Sequence, residues 1–179
     1  PLGHPIQIGQ YRGLGPHGLG IGPISILPGT KDASTVRLRK LTLGIDPFSS
    51  IRQLRLVLVA RVTGTNVNLR RNQQGQFWVP GPRSDGEFLQ RVDLRVRLVD
   101  PAKIRVEPAD VQLSLAGITR LRLNEKWADG AFQLRLPDRG TVNLKGRVRW
   151  DRPEFRISTR LERVRLDRLQ GLLPTSQPI

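Results

Sequence analysis

Cysteine is absent from the 179 residues, which removes disulfides, thiolate metal sites and cysteine nucleophiles and leaves the compartment open. Histidine is nearly absent. His4 and His17 are the only two, and neither has a ligand partner at metal spacing, so no metal site, cofactor or histidine catalysis is expected. No run of 18 apolar residues occurs, so neither a bilayer span nor a signal peptide is expected within this length of chain. Aromatics are sparse, with one Tyr, five Phe and three Trp, which is thin for the stacking platforms that hold single-stranded nucleic acid. Acidic residues are few beside basic ones, 15 against 30, giving a net charge of +15 and a pI near 11.7. Twenty-five of the basic residues are Arg. Such a balance implies an anionic partner such as nucleic acid, phospholipid or lipopolysaccharide.

What the chain has in quantity is alternation. In "RVDLRVRLVD", residues 91–100, Val92, Leu94, Val96 and Leu98 fall on one side of an extended chain, with Arg91, Asp93, Arg95 and Arg97 on the other. From residue 89 the pattern predicts a meander of strands over 89–99, 103–107, 110–116, 119–124, 131–136, 141–150 and 154–164, separated by Pro, Gly, Asp and Asn. Val111, Leu113 and Leu115, Leu121 and Leu123, Phe132, Leu134 and Leu136, and Val142, Leu144, Val148 and Trp150 share the apolar parity.

Earlier segments differ. Pro1, Leu2, Gly3 and His4 look like the remnant of a cleaved tag and are set aside. Residues 5–34 are rich in Gly and Pro and are expected to be irregular or to form short edge strands around Ile24, Ile26 and Leu27. Residues 35–88 form a strand-helix-strand section: "TVRLRKLTLGID" changes parity at Arg39 and Lys40, which predicts a bulge. Asp46 as N-cap, Pro47 at the first helical position and Phe48 and Ile51 three apart predict one or two helical turns. Leu54 to Val62 reads as a buried strand, Gly64 as a turn, "NVNLRR" as another strand and residues 72–87 as a long loop. Residues 89–179 continue the same domain, and a short helix capped by Asp167 and stopped before Pro174 is expected to close it.

A sheet apolar on one face must cover it, and a Leu or Phe buried there contributes roughly 1.5–3 kcal/mol. Helices are too short to do so. A sandwich is one answer; the other is a single sheet curled along its length, its inner face lining a groove filled by acyl chains. About ten strands at about 4.8 Å spacing give a sheet about 45–50 Å long, the size of one section of a conduit, with open edges at its two ends.

Rival chemistries fare less well. Gly13, Gly15 and Gly18 spell a dinucleotide fingerprint, but Pro16, Gly20 and Gly22 oppose a helix there. Asp85 with Glu87, and Glu107 with Asp110, lie at turn punctuation, where solvated carboxylates are the commoner explanation. No enzyme is expected. Arg91, Arg95, Arg97, Arg147, Arg149 and Arg160 form a basic stripe that a nucleic-acid-binding module or anionic headgroups could use, and a solvated outer face explains it equally. Edge strands at Val36–Ile45 or Phe155–Leu161 would suit an interaction scaffold that adds a partner's strand.

Residues 140–174, "GTVNLKGRVRWDRPEFRISTRLERVRLDRLQGLLP", resemble the repeat of TamB-like proteins, a Gly-led strand pair running into a strand that ends in a short helix near "LLP". Residues 36–78 are similar to the amino-terminal region shared by TamB and AsmA-like proteins, ending in Gly75, Gln76, Phe77 and Trp78, with Gln74 where that family often has Asp. Residues 6–26 are similar to the glycine-punctuated strand pair that precedes it. The resemblance implies an all-β, curved, groove-forming antiparallel sheet, the β-taco, with one or two short helices. It implies a periplasmic section of an envelope-spanning, bridge-like protein that carries phospholipids along a hydrophobic groove, or assists outer-membrane protein assembly, or both. A closed sandwich scaffold or a nucleic-acid-binding module on the Arg-rich face is the alternative. The implied partners are phospholipid or other acyl-chain cargo and, through other parts of a longer chain, an outer-membrane barrel insertase. Specific nucleic acid is not among them. The implied location is the periplasm, attached to the inner membrane by an anchor elsewhere in the chain, or the intermembrane space of a plastid envelope in a cyanobacterial or plastid-like form. The groove lining expected is Val92, Leu94, Val96, Leu98, Leu113, Leu115, Leu121, Leu123, Phe132, Leu134, Leu136, Leu144, Val148, Phe155 and Ile157.

Overall fold

The computed structural model describes residues 4–29, 33–70, 92–107, 110–123, 125–149, 151–152 and 154–165. Alternating stretches become strands in chain order: β1 (Ile6–Ile8), β2 (Tyr11–Gly15), β3 (Gly18–Ile21), β4 (Ile24–Ile26), β5 (Thr35–Ile45), β6 (Leu56–Arg70), β7 (Val92–Leu98), β8 (Ala102–Glu107), β9 (Val111–Arg122), β10 (Trp127–Arg135), β11 (Thr141–Arg149) and β12 (Glu154–Glu162). All twelve belong to one sheet, so the fold is all-β, and no second sheet faces it among the described residues. The main path β1-β4-β5-β6-β7-β9-β10-β11-β12 has nine positions. The described ends, β1 with β2 and β12, are paired on one side only.

One helix, α1 (Pro47–Gln53), joins β5 to β6. Asp46 caps it as its spacing predicts: Oδ1 accepts from the Ser49 N–H at 2.9 Å and Oδ2 from the Ser49 hydroxyl at 2.8 Å. Pro47 loses no hydrogen bond at the first helical position, and Leu54 ends the helix in the left-handed region with φ 50°. The apolar side chains of α1 do not pack inward, since none of its residues is buried and Phe48 and Ile51 are exposed. The second expected helix, near Asp167, lies outside the described residues.

The sheet is not wholly antiparallel. β6 pairs in parallel with β7 over Leu56–Val62 and with β8 over Asn66–Arg70, while every other pair is antiparallel. Alternation is blind to strand direction, and a parallel neighbour needs only a connection long enough to cross the sheet, which residues 71–91 supply. Three boundaries also differ from expectation. Gly64 is a kink with φ 66° inside one long β6 and not a turn between two strands. Gly117 does not interrupt β9, and β10 begins at Trp127, so Asp129 and Gly130 are strand residues.

The kink at Gly64 belongs to a line of irregularities crossing five strand positions. Apolar side chains face one way at Ile8 and Tyr11, Ile21 and Ile24, Leu38 and Leu41, and Val62 and Thr65's neighbour Val67, and each pair is separated by a break in alternation. The breaks align. Gly9 donates to the Pro23 carbonyl, Gly22 donates to the Gln10 carbonyl and is pressed against Arg39, Arg39 lies against Gly64, and Gly64 donates to Asp100 between β7 and β8. The parity change expected at Arg39 and Lys40 falls on this line, but the predicted bulge is not there: Leu38 opposite Thr65 and Lys40 opposite Thr63 keep one register, so both strands break together. Irregularities of this kind bend the strands that carry them. β9 to β12 keep unbroken alternation and constant register.

Candidate functional site

Residues opposite one another in a ladder project on the same face, so the register assembles the site row by row. One row runs Ile45, Leu58, Leu94, Leu121, Ala128, Val148, Phe155. A second runs Ala102, Leu115, Leu134, Val142, Leu161, and between them lies Gly117, Phe132, Leu144, Thr159. Val96 sits beside Ala60, Leu98 beside Val62 and Leu113 beside Ile104. Thirteen of the fifteen expected lining residues therefore lie on strands of one apolar face. Leu123 and Leu136 fall just beyond the ends of β9 and β10 with the same parity.

The face is most buried at β4 and at β6 to β8 and exposed toward the rims. Ile24, Ala60, Val62, Val92, Ala102 and Val106 are buried, while Ile8 on β1 is 68% exposed and Phe155 on β12 is 69% exposed. Leu94, Val96, Leu98, Leu113, Leu115, Leu121, Phe132, Leu134 and Leu144 are half-buried; Val148 and Ile157 are exposed. The ring of Phe132 fills the space left by Gly117 and Gly130, its neighbours on this face. The expected list stops short of the face, which continues through Leu56 and Leu58 on β6, Leu41 and Leu43 on β5 and Ile24 on β4. Their alternation is equally plain in the sequence; their adjacency to β7 is not.

The opposite face is polar and divides into two halves. Toward α1, carboxylates interleave with arginines: Asp46 with Arg95 at 2.7 Å, Arg55 with Glu125 at 2.8 Å, and Asp129 with Arg147 at 2.6 Å. Trp127 lies under Arg147 and Arg149, 5.3 and 5.5 Å from its ring centre. The Ser49 backbone N–H and hydroxyl, then Arg95, hold Asp46 below the ordinary carboxylate range. Arg55 and then Arg122 do the same for Glu125, and Arg149 for Asp151. Of the predicted basic stripe, Arg95, Arg147, Arg149 and Arg160 have a carboxylate partner, Arg160 at 3.9 Å from Glu162; Arg97 is exposed with none among the described residues, and Arg91 lies outside them.

The other candidate chemistries are placed as follows. The glycine fingerprint is the β2–β3 hairpin, with no helix after it. Glu107 is held by Asn68 and Arg70, which lower its pKa, and Asp110 pairs with Arg105. Asp85 and Glu87 lie outside the described residues. His4, set aside with the tag remnant, is buried with Nδ1 3.0 Å from the Leu27 carbonyl oxygen. No group of three metal-ligating side chains occurs among the described residues.

No family model, no curated protein and no solved structure matches the chain.

Proposed function

We propose that this chain is a section of a bridge-like envelope protein of the TamB/AsmA-like kind, and that its apolar face carries phospholipid acyl chains. The observation that supports the reading is the single, largely apolar face, reaching from β1 to β12, on a sheet with no second sheet or long helix over it among the described residues. A face of this extent is untenable in water, and its exposed rims at Ile8 and Phe155 favour continuation into further sheet at either end. Aligned irregularities near Gly64, at the mid-length of the strands, suit a sheet folded about its long axis with acyl chains inside. The periplasm or a plastid intermembrane space follows from that role, as does transport or outer-membrane assembly without catalysis.

Native mass spectrometry of the purified chain, followed by lipid extraction, tests the proposal. Co-purifying phospholipid that is lost in Leu94→Glu and Leu134→Glu variants, with circular dichroism unchanged, is the expected result. A lipid-free monomer, or loss of fold in both variants, overturns it in favour of a face packed on protein.

A further inference from the structure

Helix α1 turns its polar side toward the sheet and its apolar side away from it. At about 100° per residue, Pro47, Phe48, Ile51 and Arg52 share one arc, and Ser49, Ser50 and Gln53 share the other. Burial follows the same division, with the first four exposed and the last three half-buried. The serines account for the orientation. The Ser49 N–H and hydroxyl donate to the Asp46 carboxylate, the Ser50 hydroxyl donates to the Asp46 carbonyl at 2.7 Å, and the Val57 N–H of β6 donates to Ser50 Oγ at 2.9 Å. These bonds hold the serine side against the strand and send Phe48 and Ile51 outward. Phe48 is 77% exposed, Ile51 75% and Leu54, which ends the helix, 91%. A surface helix normally buries its apolar stripe, so an outward one calls for something apolar to meet it.

Size and charge choose the occupant. Three side chains, one Phe, one Ile and one Leu, offer roughly 500 Å² at most, against about 800 Å² from each partner in a stable protein–protein interface. Two copies that each carry +15 also repel one another. A bilayer asks for less: a few apolar side chains enter the acyl boundary, and no complementary shape is needed. The charges around α1 suit an anionic one. The helix has no acidic residue, Arg52 lies on the outward arc beside Phe48, and the capping carboxylate of Asp46 is engaged by Arg95 at 2.7 Å.

We infer that α1 is a membrane-contact element, with Phe48, Ile51 and Leu54 entering the surface of an anionic bilayer and Arg52 remaining among its headgroups. The inference rests on the outward side of α1 and not on the apolar face of the sheet, so it stands or falls independently of the proposed transport role.

Flotation of the purified chain with vesicles tests it, using equal parts of phosphatidylglycerol and phosphatidylcholine in one series and phosphatidylcholine alone in the other. Binding to the mixed vesicles is expected. It should weaken about ten-fold or more in the Phe48→Ser, Ile51→Ser double variant and about five-fold in Arg52→Gln, with circular dichroism unchanged in both. Phe155→Ser, Ile157→Ser, a double variant at the β12 end of the apolar face, should weaken it less than about two-fold. No binding, equal weakening by the two doubles, or binding that the α1 double leaves intact overturns the assignment, the last because charge alone would then carry it. A lipid-free dimer that the α1 double dissolves also overturns it, in favour of a second copy on the helix. Co-purified lipid that is lost in Leu94→Glu while vesicle binding persists would separate this contact from the acyl-chain surface.

Discussion

Both carboxylate oxygens of Asp100 accept from the backbone N–H of Gly64, at 2.9 and 3.0 Å. Gly64 sits where β6 passes from its β7 partner to its β8 partner, and the break between those strands leaves its N–H without a ladder carbonyl. Asp100 supplies the missing acceptor and ties the irregular line to the rest of the sheet. Asp100→Ala should lower stability by about 1–3 kcal/mol, the cost of an unmet, partly buried N–H, while Asp100→Asn keeps one acceptor and should lose less. Urea midpoints of the three proteins read this directly; an Ala variant as stable as the parent would remove Asp100 from that role.

Much of this architecture is legible in the sequence, and the part that is not has a physical reason. Alternation at Val92–Leu98 and from Val111 onward identifies the apolar face, because a period of two does not depend on which strands become neighbours. The parity change at Arg39 and Lys40 is visible for the same reason. The matching change in β6 is hidden by Gly64, which reads as a turn although its positive φ is used inside a strand. The parallel pairing of β6 is invisible, since apolar periodicity carries no direction. The polar row Arg37, Asn66, Lys103, Ser114 and Arg135 is likewise illegible: pairing across five strands creates it, and each member alone is an ordinary polar strand residue.

Gly117 makes room for a lining residue. A Cβ at Gly117 would collide with the Phe132 ring and would come 2.6 Å from the Ala131 carbonyl oxygen, which is backbone and cannot swing aside. Gly117→Ala should therefore cost about 1–3 kcal/mol, as overpacking does, and displace the ring. Thermal denaturation measures the first effect, and Phe132 side-chain resonances the second. A neutral substitution would mean that β9 and β10 separate easily at this point.

Acid should loosen the α1 end of the polar face first. Asp46, Glu125 and Asp151 are each held below their unfolded pKa of about 4 by the groups that surround them. A lowered folded pKa means that the unfolded chain binds protons more readily, so these pairs contribute fully above about pH 4 and are lost as pH falls through the folded values. Urea midpoints should be flat from neutral pH to about pH 5 and fall below it, with a shallower fall in Glu125→Gln. An acid limb unchanged by Glu125→Gln, Asp46→Asn and Asp151→Asn together would place its origin elsewhere.

Leu54 sits in the left-handed region at φ 50° with 91% of its surface exposed. A Cβ is unfavourable there by about 1–2 kcal/mol, and no buried contact of its own offsets the strain. Leu54→Gly should therefore stabilise the isolated chain, by about 0.5–1 kcal/mol once the entropy of the added glycine is counted. Phe48→Ser, at a helix position 77% exposed, should leave stability within about 0.5 kcal/mol of the parent. Both outcomes rest on the same premise, that α1 contributes its cap and its backbone to the fold and withholds its apolar side chains from it. A loss of more than about 1 kcal/mol in either variant would mean that these side chains are packed in solution, and the helix would then belong to the core.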